Sequence, residues 1–233
     1  GQRLLDGWLI RLSPGKAKRA RSINAIAEGR LPLAERLALA RAAFEAAGLP
    51  LIIRITPFSP EGLDASLAEQ GFRRFDDTRV MVHSALQQVE VPALPEGCSI
   101  EQLAVVEFAE LVGQLRGSPE KQRVAQAERM AQLPVPCRGH VLRWQGDIVA
   151  CGQMTSEADL VGIYDVFTRP DCRGRGFARA LCEQLIALAC ADGARTGYLQ
   201  VDSDNLPARA VYRRLGFRDA YAYHYRTDDP SAK

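Results

Sequence analysis

One grammar is written twice in this chain. Residues 35–72, ERLALARAAFEAAGLPLIIRITPFSPEGLDASLAEQGF, read as a helix, Gly48, an apolar strand, a Pro/Ser turn, a second helix and Gly71-Phe72. The later copy starts with Leu181, Leu185, Leu188 and Ala189 at helical spacing, and Gly193 ends that run. TGYLQV then reads as a strand and NLPARAVYRRLGF as a helix, with Asn205 as N-cap and Gly216 as its stop. Both glycine intervals are 23 residues, and the copies lie 145 residues apart. Self-similarity at a fixed offset predicts duplication. Helix–glycine–strand is also a common combination, so the prediction carries a condition: a sheet of related connectivity must lie before residue 90.

The segment PALPEGCS, residues 92–99, holds two prolines and a glycine and is expected as a linker. It divides the chain into residues 1–92, a linker at 93–97 and a second domain at 98–233. In that domain, Ile100 to Leu115 reads as a strand then a helix, and 119–133 as a helix with Pro119 in its first turn. HVLRWQGDIVACGQM reads as two strands turning at Gln145-Gly146-Asp147. A third strand is expected at about 159–168, and AYAYHYR is expected as the last.

Composition narrows the function classes. The net charge is +2, with 13 basic and 11 acidic residues before Gly97 and 17 of each after it. That balance gives no reason to expect a nucleic-acid partner. Arg11, Lys16, Lys18, Arg19 and Arg21 form a local basic cluster, read either as a solvated face or as a phosphate or acidic-substrate site. Six scattered cysteines lack CxxC spacing and suit buried thiols in a reducing compartment. No run approaches the roughly 20 apolar residues of a membrane span, so a cytoplasmic location is expected. His83, His140 and His224 are not at ligand spacing, and no metal is expected.

Residues 166–181, VFTRPDCRGRGFARAL, carry the chemistry. An apolar strand runs into a Gly-Arg turn and a helix starts at once. Glycines let backbone approach a ligand closely, and the unpaired N–H groups of a helix start attract anions. A tight surface turn is the plain alternative. A P-loop would need a Lys that is absent here. A dinucleotide GxGxxG fingerprint fails because Arg179 stands where its third small residue belongs, although Asp202 could imitate the ribose-binding acid.

A third pattern, Arg/Gln-x-x-Gly-x-Gly/Ala, is met at every fixed position by Arg173-Gly174-Arg175-Gly176-Phe177-Ala178. With NLPARAVYRRLGF downstream, the region resembles the GNAT superfamily of acetyl-CoA-dependent N-acetyltransferases. The two motifs cover about 163–225, and the element order extends the resemblance back to about 98. The resemblance implies an α/β (α+β) fold, a mixed, mostly antiparallel sheet flanked by helices. With the repeat, it implies two tandem halves. It further implies that strands 159–168 and 197–201 splay apart to take acetyl-CoA, with the backbone of Val166, Phe167 and Thr168 facing the pantetheine. The pyrophosphate would rest on the N–H groups of Arg173, Gly174, Arg175, Gly176, Phe177 and Ala178.

The implied reaction is direct attack by a small-molecule or peptide amine on the thioester. Val166 and its neighbours would hold the oxyanion, since preorganised backbone donors suit that task. Tyr212 matches the family tyrosine that protonates the departing sulfur, and Asn205 would cap its helix, contact the cofactor, or do both. The general base stays open among Asp165, Glu157, Asp159 and a water chain. Cys172 lies beside the loop without a nucleophilic role. A non-catalytic acyl-CoA sensor or scaffold is the alternative function. Shifted back by 145 residues, the loop falls on Glu28-Gly29-Arg30-Leu31-Pro32-Leu33, and Tyr212 falls on Leu67. Glu28 would repel phosphate and Pro32 has no N–H. The first half is therefore expected to be a degenerate, structural or acceptor-shaping copy. Its strand before the loop would fall on KRARSI, which reads as loop; GWLIRL is the better strand.

Overall fold

The computed structural model describes residues 1–13, 17–87, 92–132, 134–230 and 232. Lys16, residues 88–91 and the expected helix end at Leu133 lie outside the described residues. Among the described residues the chain order is β1 (Gln2–Leu5), β2 (Trp8–Arg11), β3 (Ile23–Ala25), α1 (Leu33–Ala46), β4 (Ile53–Ile55), α2 (Leu63–Glu69) and β5 (Arg73–His83). Then come β6 (Cys98–Leu103), α3 (Val105–Leu115), α4 (Glu120–Ala131), β7 (Cys137–Trp144), β8 (Asp147–Glu157) and β9 (Leu160–Thr168). The chain closes with α5 (Phe177–Ala191), β10 (Thr196–Asp202), α6 (Leu206–Arg214) and β11 (Arg218–Thr227).

These elements form two compact units that do not follow chain order. The first is Gly1–Arg79 with Asp202–Asp204 and Tyr221–Lys233; the second is Val80–Val201 with Asn205–Ala220. The expected division into 1–92, 93–97 and 98–233 is therefore corrected at both ends. Leu94 lies against the second unit's core, the Pro92 carbonyl accepts the Gln184 side chain, and the Leu86 N–H donates to the Arg195 carbonyl at 2.8 Å. Residues 93–97 thus belong inside the second unit. Conversely, most of AYAYHYR completes the first.

In the first unit β1 and β2 form an antiparallel hairpin, β3 runs antiparallel to β2, and β4 runs parallel to β3 across α1. Trp8, Ile10, Ile23 and Ile53 alternate along their strands and are fully buried with Phe44 of α1 and Leu67 of α2. The second unit repeats the connectivity. There β7–β8 and β8–β9 are antiparallel, and β9–β10 is parallel across α5. The condition set by the repeat is met. One strand assignment is corrected: GWLIRL holds β2, while the strand before the degenerate loop is β3, beginning at the last residue of KRARSI.

In the second unit the strand order is β10-β9-β8-β7-β6, with β5, whose last four residues belong here, beside β10. Two glycines let helices come close to this sheet. A Cβ on Gly139 would sit 2.1 Å from Cγ of Phe108 in α3, and one on Gly152 would meet Leu181 and Leu185 of α5 at 3.3 Å. Helix α3 and helix α5 therefore cover opposite faces, because Gly139 pairs with Gln153, the neighbour of Gly152.

Strand β11 is tied into the first unit by charge as well as by its ladder with β4. One carboxylate oxygen of Asp64 in α2 lies 2.8 Å from His224 Nε2 and accepts the Arg226 Nε proton at 2.7 Å. Arg226 and His224 hold the Asp64 carboxyl at about 2, below the ordinary 3.8. A carboxyl lowered on folding stabilises the fold above its unfolded value and loses that contribution as pH falls towards its folded value. Asp64→Asn should cost about 1 kcal/mol at neutral pH, after screening of this part-exposed carboxylate. Denaturant unfolding of the two proteins should converge as pH falls from about 4 to about 2. A difference that persists unchanged at pH 2 would show that the ion pair is not its source.

Candidate functional site

The second unit's site begins where two strands part. Parallel pairing of β9 with β10 runs from Leu160–Thr196 to Ile163–Leu199 and stops there. Both strands continue, β9 to Thr168 and β10 to Asp202. Just beyond the last pair, β9 bulges. Cys151 of β8 lies opposite Phe167 and Gln153 opposite Tyr164, so Asp165 and Val166 share the span of Gly152. Such an extra residue leaves the ladder and re-aims its neighbours. Asp165 takes φ of 50°, the left-handed region that Asp tolerates better than most residues.

Below the parted strands the chain turns through Pro170–Cys172 into the Gly-Arg loop. Arg169 Nε donates to Asp171 at 2.8 Å and braces that turn. Gly174 and Gly176 have φ of 78° and 84°, and a Cβ built on either would find nothing within 4 Å. The backbone is therefore bare on the side a ligand would approach. Gly176 caps α5, whose first turn holds no acidic residue. The first N–H groups of a helix lack intrahelical acceptors and carry the positive end of its dipole.

A cavity of about 620 Å³ joins these parts, within the range of small-molecule and cofactor sites. Val166, Phe167 and Thr168 line it from β9, Arg173, Gly174, Gly176, Phe177 and Ala178 from the loop, and Asn205 and Tyr212 from α6. The structure thus brings together every site residue expected from sequence except one side chain. Arg175 turns its guanidinium over the Trp144 ring, 5.1 Å from the centroid, and is absent from the lining. Asn205 caps α6, its Oδ1 accepting the Ala208 N–H at 3.2 Å, and lines the cavity as well. Cys172, Arg179, Pro207, Ala208, Val211 and Arg214 also line it. Helical spacing from Asn205 and Tyr212 was the signal for Ala208, which lies three residues after the first and four before the second.

Tyr212 is 8% exposed and stands edge-on to Phe217. Burial pushes its phenol above the ordinary value of 10, so it stays protonated at any working pH. The three candidate bases separate. Glu157 and Asp159 are exposed at the β8–β9 turn. They lie seven or more residues from Val166, roughly 20 Å along an extended strand, which removes them from the site. Asp165 adjoins Val166. One of its oxygens accepts Arg116 Nη1 at 2.7 Å and the other accepts Gln153 Nε2 at 3.0 Å.

The first unit's counterpart of the cradle has a different occupant. The carboxylate of Asp6, in the β1–β2 turn, accepts the N–H groups of Arg30 and Leu31, each at 2.9 Å. Those bonds lower the Asp6 carboxyl below its ordinary value. A Cβ on Gly29 would lie 2.2 Å from the Asp6 carboxylate, so the glycine admits this side chain. Lys18, from the basic cluster, is taken up by Asp76 at 2.8 Å.

Comparison with known proteins agrees with this geometry. Residues 99–217 match the model of the acetyltransferase (GNAT) family, a span just over half the chain that contains all the cavity residues. An uncharacterized N-acetyltransferase, YobR of Bacillus subtilis, is 25% identical over 97% of this chain and 91% of its own length. A mycothiol acetyltransferase of Actinosynnema mirum is 29% identical over 67% of this chain and 57% of its own. A GCN5-related N-acetyltransferase from Kribbella flavida has the same fold, with a TM-score of 0.71 at 21% identity, covering 100% of this chain and 90% of that one. A tandem GNAT protein of the clavulanic acid pathway superposes with a TM-score of 0.65 at 16% identity, over 91% and 76%. The chain belongs to the GNAT acetyltransferase family and is an acyltransferase of the N-acetyltransferase type.

Proposed function

We propose that this protein transfers the acetyl group of acetyl-CoA to a primary amine by direct attack, using the second unit. The observation that carries the reading is the continuous cavity from the β9 bulge to the bare N-terminus of α5. Its parts suit the parts of acetyl-CoA. The N–H groups of Gly174 to Ala178 offer donors for a pyrophosphate. The backbone of Val166 to Thr168, freed from β10, can pair with the amides of the pantetheine. The amides at the bulge could donate to a developing oxyanion, a role commonly worth about 3–4 kcal/mol per donor. Tyr212, held protonated by burial, can give its proton to the departing sulfur.

The first unit supports a single cofactor site per chain. Asp6 already fills the N–H positions that correspond to the cradle, and Pro32, next to α1, has no N–H. That leaves the first unit a structural or acceptor-shaping role. The acceptors fall within small-molecule or peptide amines.

Isothermal titration should give one coenzyme A per chain; two would refute the closed first cradle. Tyr212→Phe should lower kcat on the order of 10²-fold, with coenzyme A affinity unchanged; an unaltered kcat would remove Tyr212 from proton donation. Gly176→Glu combines a side chain at a left-handed position with a negative charge at a phosphate cradle. It should abolish coenzyme A binding while thermal unfolding still shows a cooperative fold. Retained binding would place the pyrophosphate elsewhere. Coenzyme A binding with no thiol release on any amine would turn the reading towards an acyl-CoA sensor.

A further inference from the structure

The first unit's sheet has two unlike faces. One is the apolar side that packs on α1 and α2. Register defines the other. Leu9 of β2 lies opposite Asn24 of β3, Asn24 opposite Arg54 of β4, and Arg54 opposite Tyr225 of β11, so these side chains form one row across four strands. Arg11 and Ser22 stand on the same face one step along. Arg11 is two residues from Leu9 and Ser22 two from Asn24, and the Arg11 N–H donates to the Ser22 carbonyl at 3.2 Å, in register with the β2–β3 ladder.

The polar groups of this face share one condition. Arg11 Nε, Ser22 Oγ, Asn24 Nδ2 and Arg54 Nε are all buried, and the chain supplies a hydrogen-bond partner to none of them. Arg21 Nε, next in sequence to Ser22, is in the same state. All five atoms carry a proton to donate, and only the serine oxygen can also accept. Among the described residues, Arg11 and Arg21 enter no hydrogen bond or ion pair at all. Arg54 has a single long contact, from Nη1 to Asn24 Oδ1 at 3.4 Å, and its guanidinium is held 3.9 Å from the Tyr223 ring centroid. The Asp76 carboxylate, beside the Phe75 ring that meets Tyr225, is already bonded to Lys18. Of the basic cluster noted in the sequence, Arg11 and Arg21 are thus the members that the fold leaves without a counter-charge.

A buried donor with no acceptor costs about 1–3 kcal/mol, and native proteins hold few of them. A solvated face would leave these nitrogens wet, yet the Nε atoms are enclosed. Each arginine is only part-buried, so its terminal nitrogens stay within reach of a ligand. What the cluster needs is an acceptor rich in lone pairs and in negative charge. A single carboxylate would balance one guanidinium of three. A phosphate dianion brings more charge and three strong acceptor oxygens, and the guanidinium fork matches its geometry.

We propose that this face of the first unit binds a phosphate group, free or as a monoester, through Arg11, Arg54 and Asn24, with Arg21 at its margin. None of these residues lines the second unit's cavity, so the site stands apart from the transferase reading.

Isothermal titration of the full-length chain with inorganic phosphate, methyl phosphate and acetate, at constant ionic strength, tests the assignment. Wild type should bind both phosphates, and acetate at least about tenfold more weakly. The tighter of the two phosphates tells whether the source is the free ion or an ester. Arg11→Gln and Arg54→Gln should each weaken phosphate binding at least about tenfold. Arg54→Lys keeps the charge without the fork and should fall between. The Gly-Arg loop of the second unit could also hold phosphate, so Gly176→Glu is the control and should bind as wild type does. Loss of binding in Gly176→Glu with Arg11→Gln and Arg54→Gln unchanged overturns the assignment. Acetate binding as tight as phosphate overturns it too, as does wild type that binds neither phosphate. Should a Gln variant fail to unfold cooperatively, the arginine Nε–H NMR signals of Gly176→Glu protein decide. Phosphate should move them, and signals that stay in place refute the site.

Discussion

The site depends on a single interruption of backbone pairing. Two parallel strands keep their ladder only to Ile163 and Leu199, and both run on beyond that pair. The bulge one residue later keeps the strands from closing again, since Asp165 and Val166 together oppose one residue of β8. Every other feature is arranged around this opening. Helix α5 points its bare N-terminus at the lower end, α6 lays Asn205 and Tyr212 along the side, and α3 brings Arg116 to the opposite face.

The bulge also explains how one short stretch serves two faces. In a regular strand, alternation would send Asp165 and Val166 to opposite sides and Phe167 with Asp165. The extra residue puts Tyr164 and Phe167 on one face, opposite Gln153 and Cys151, while Val166 packs against the core on the other. A left-handed residue inside a strand is costly unless its surroundings over-determine it. Here two side-chain bonds to the Asp165 carboxylate do so.

The sequence made much of this legible because the informative signals are local. Gly174 and Gly176 sit at left-handed positions that favour glycine, and Tyr212 follows Asn205 by a helical interval, so the loop and α6 could be read directly. Helix–glycine–strand order and its 145-residue echo were likewise local patterns. What escaped is non-local. The pairing of Arg116 with Asp165 spans 49 residues, and Arg175 turns to a tryptophan 31 positions earlier in the chain. The domain boundary escaped for the same reason. Prolines and a glycine at 92–97 look like a linker, yet Leu94 finds a place in an apolar core, and burial outweighs local composition.

The exchange of end segments has a consequence for synthesis. The first unit lacks the strand beside β4 until Tyr221 to Thr227 exist. A ribosome makes the chain from the other end, so more than half of it has emerged before that gap can be filled. Until then the edge of β4 is open backbone, a template for pairing with a second nascent chain. Arg54, set at the middle of this short strand, places a charge on that edge for the time it waits. The pairing of His224 to Arg226 with β4 therefore closes an edge that the first part of the chain leaves open.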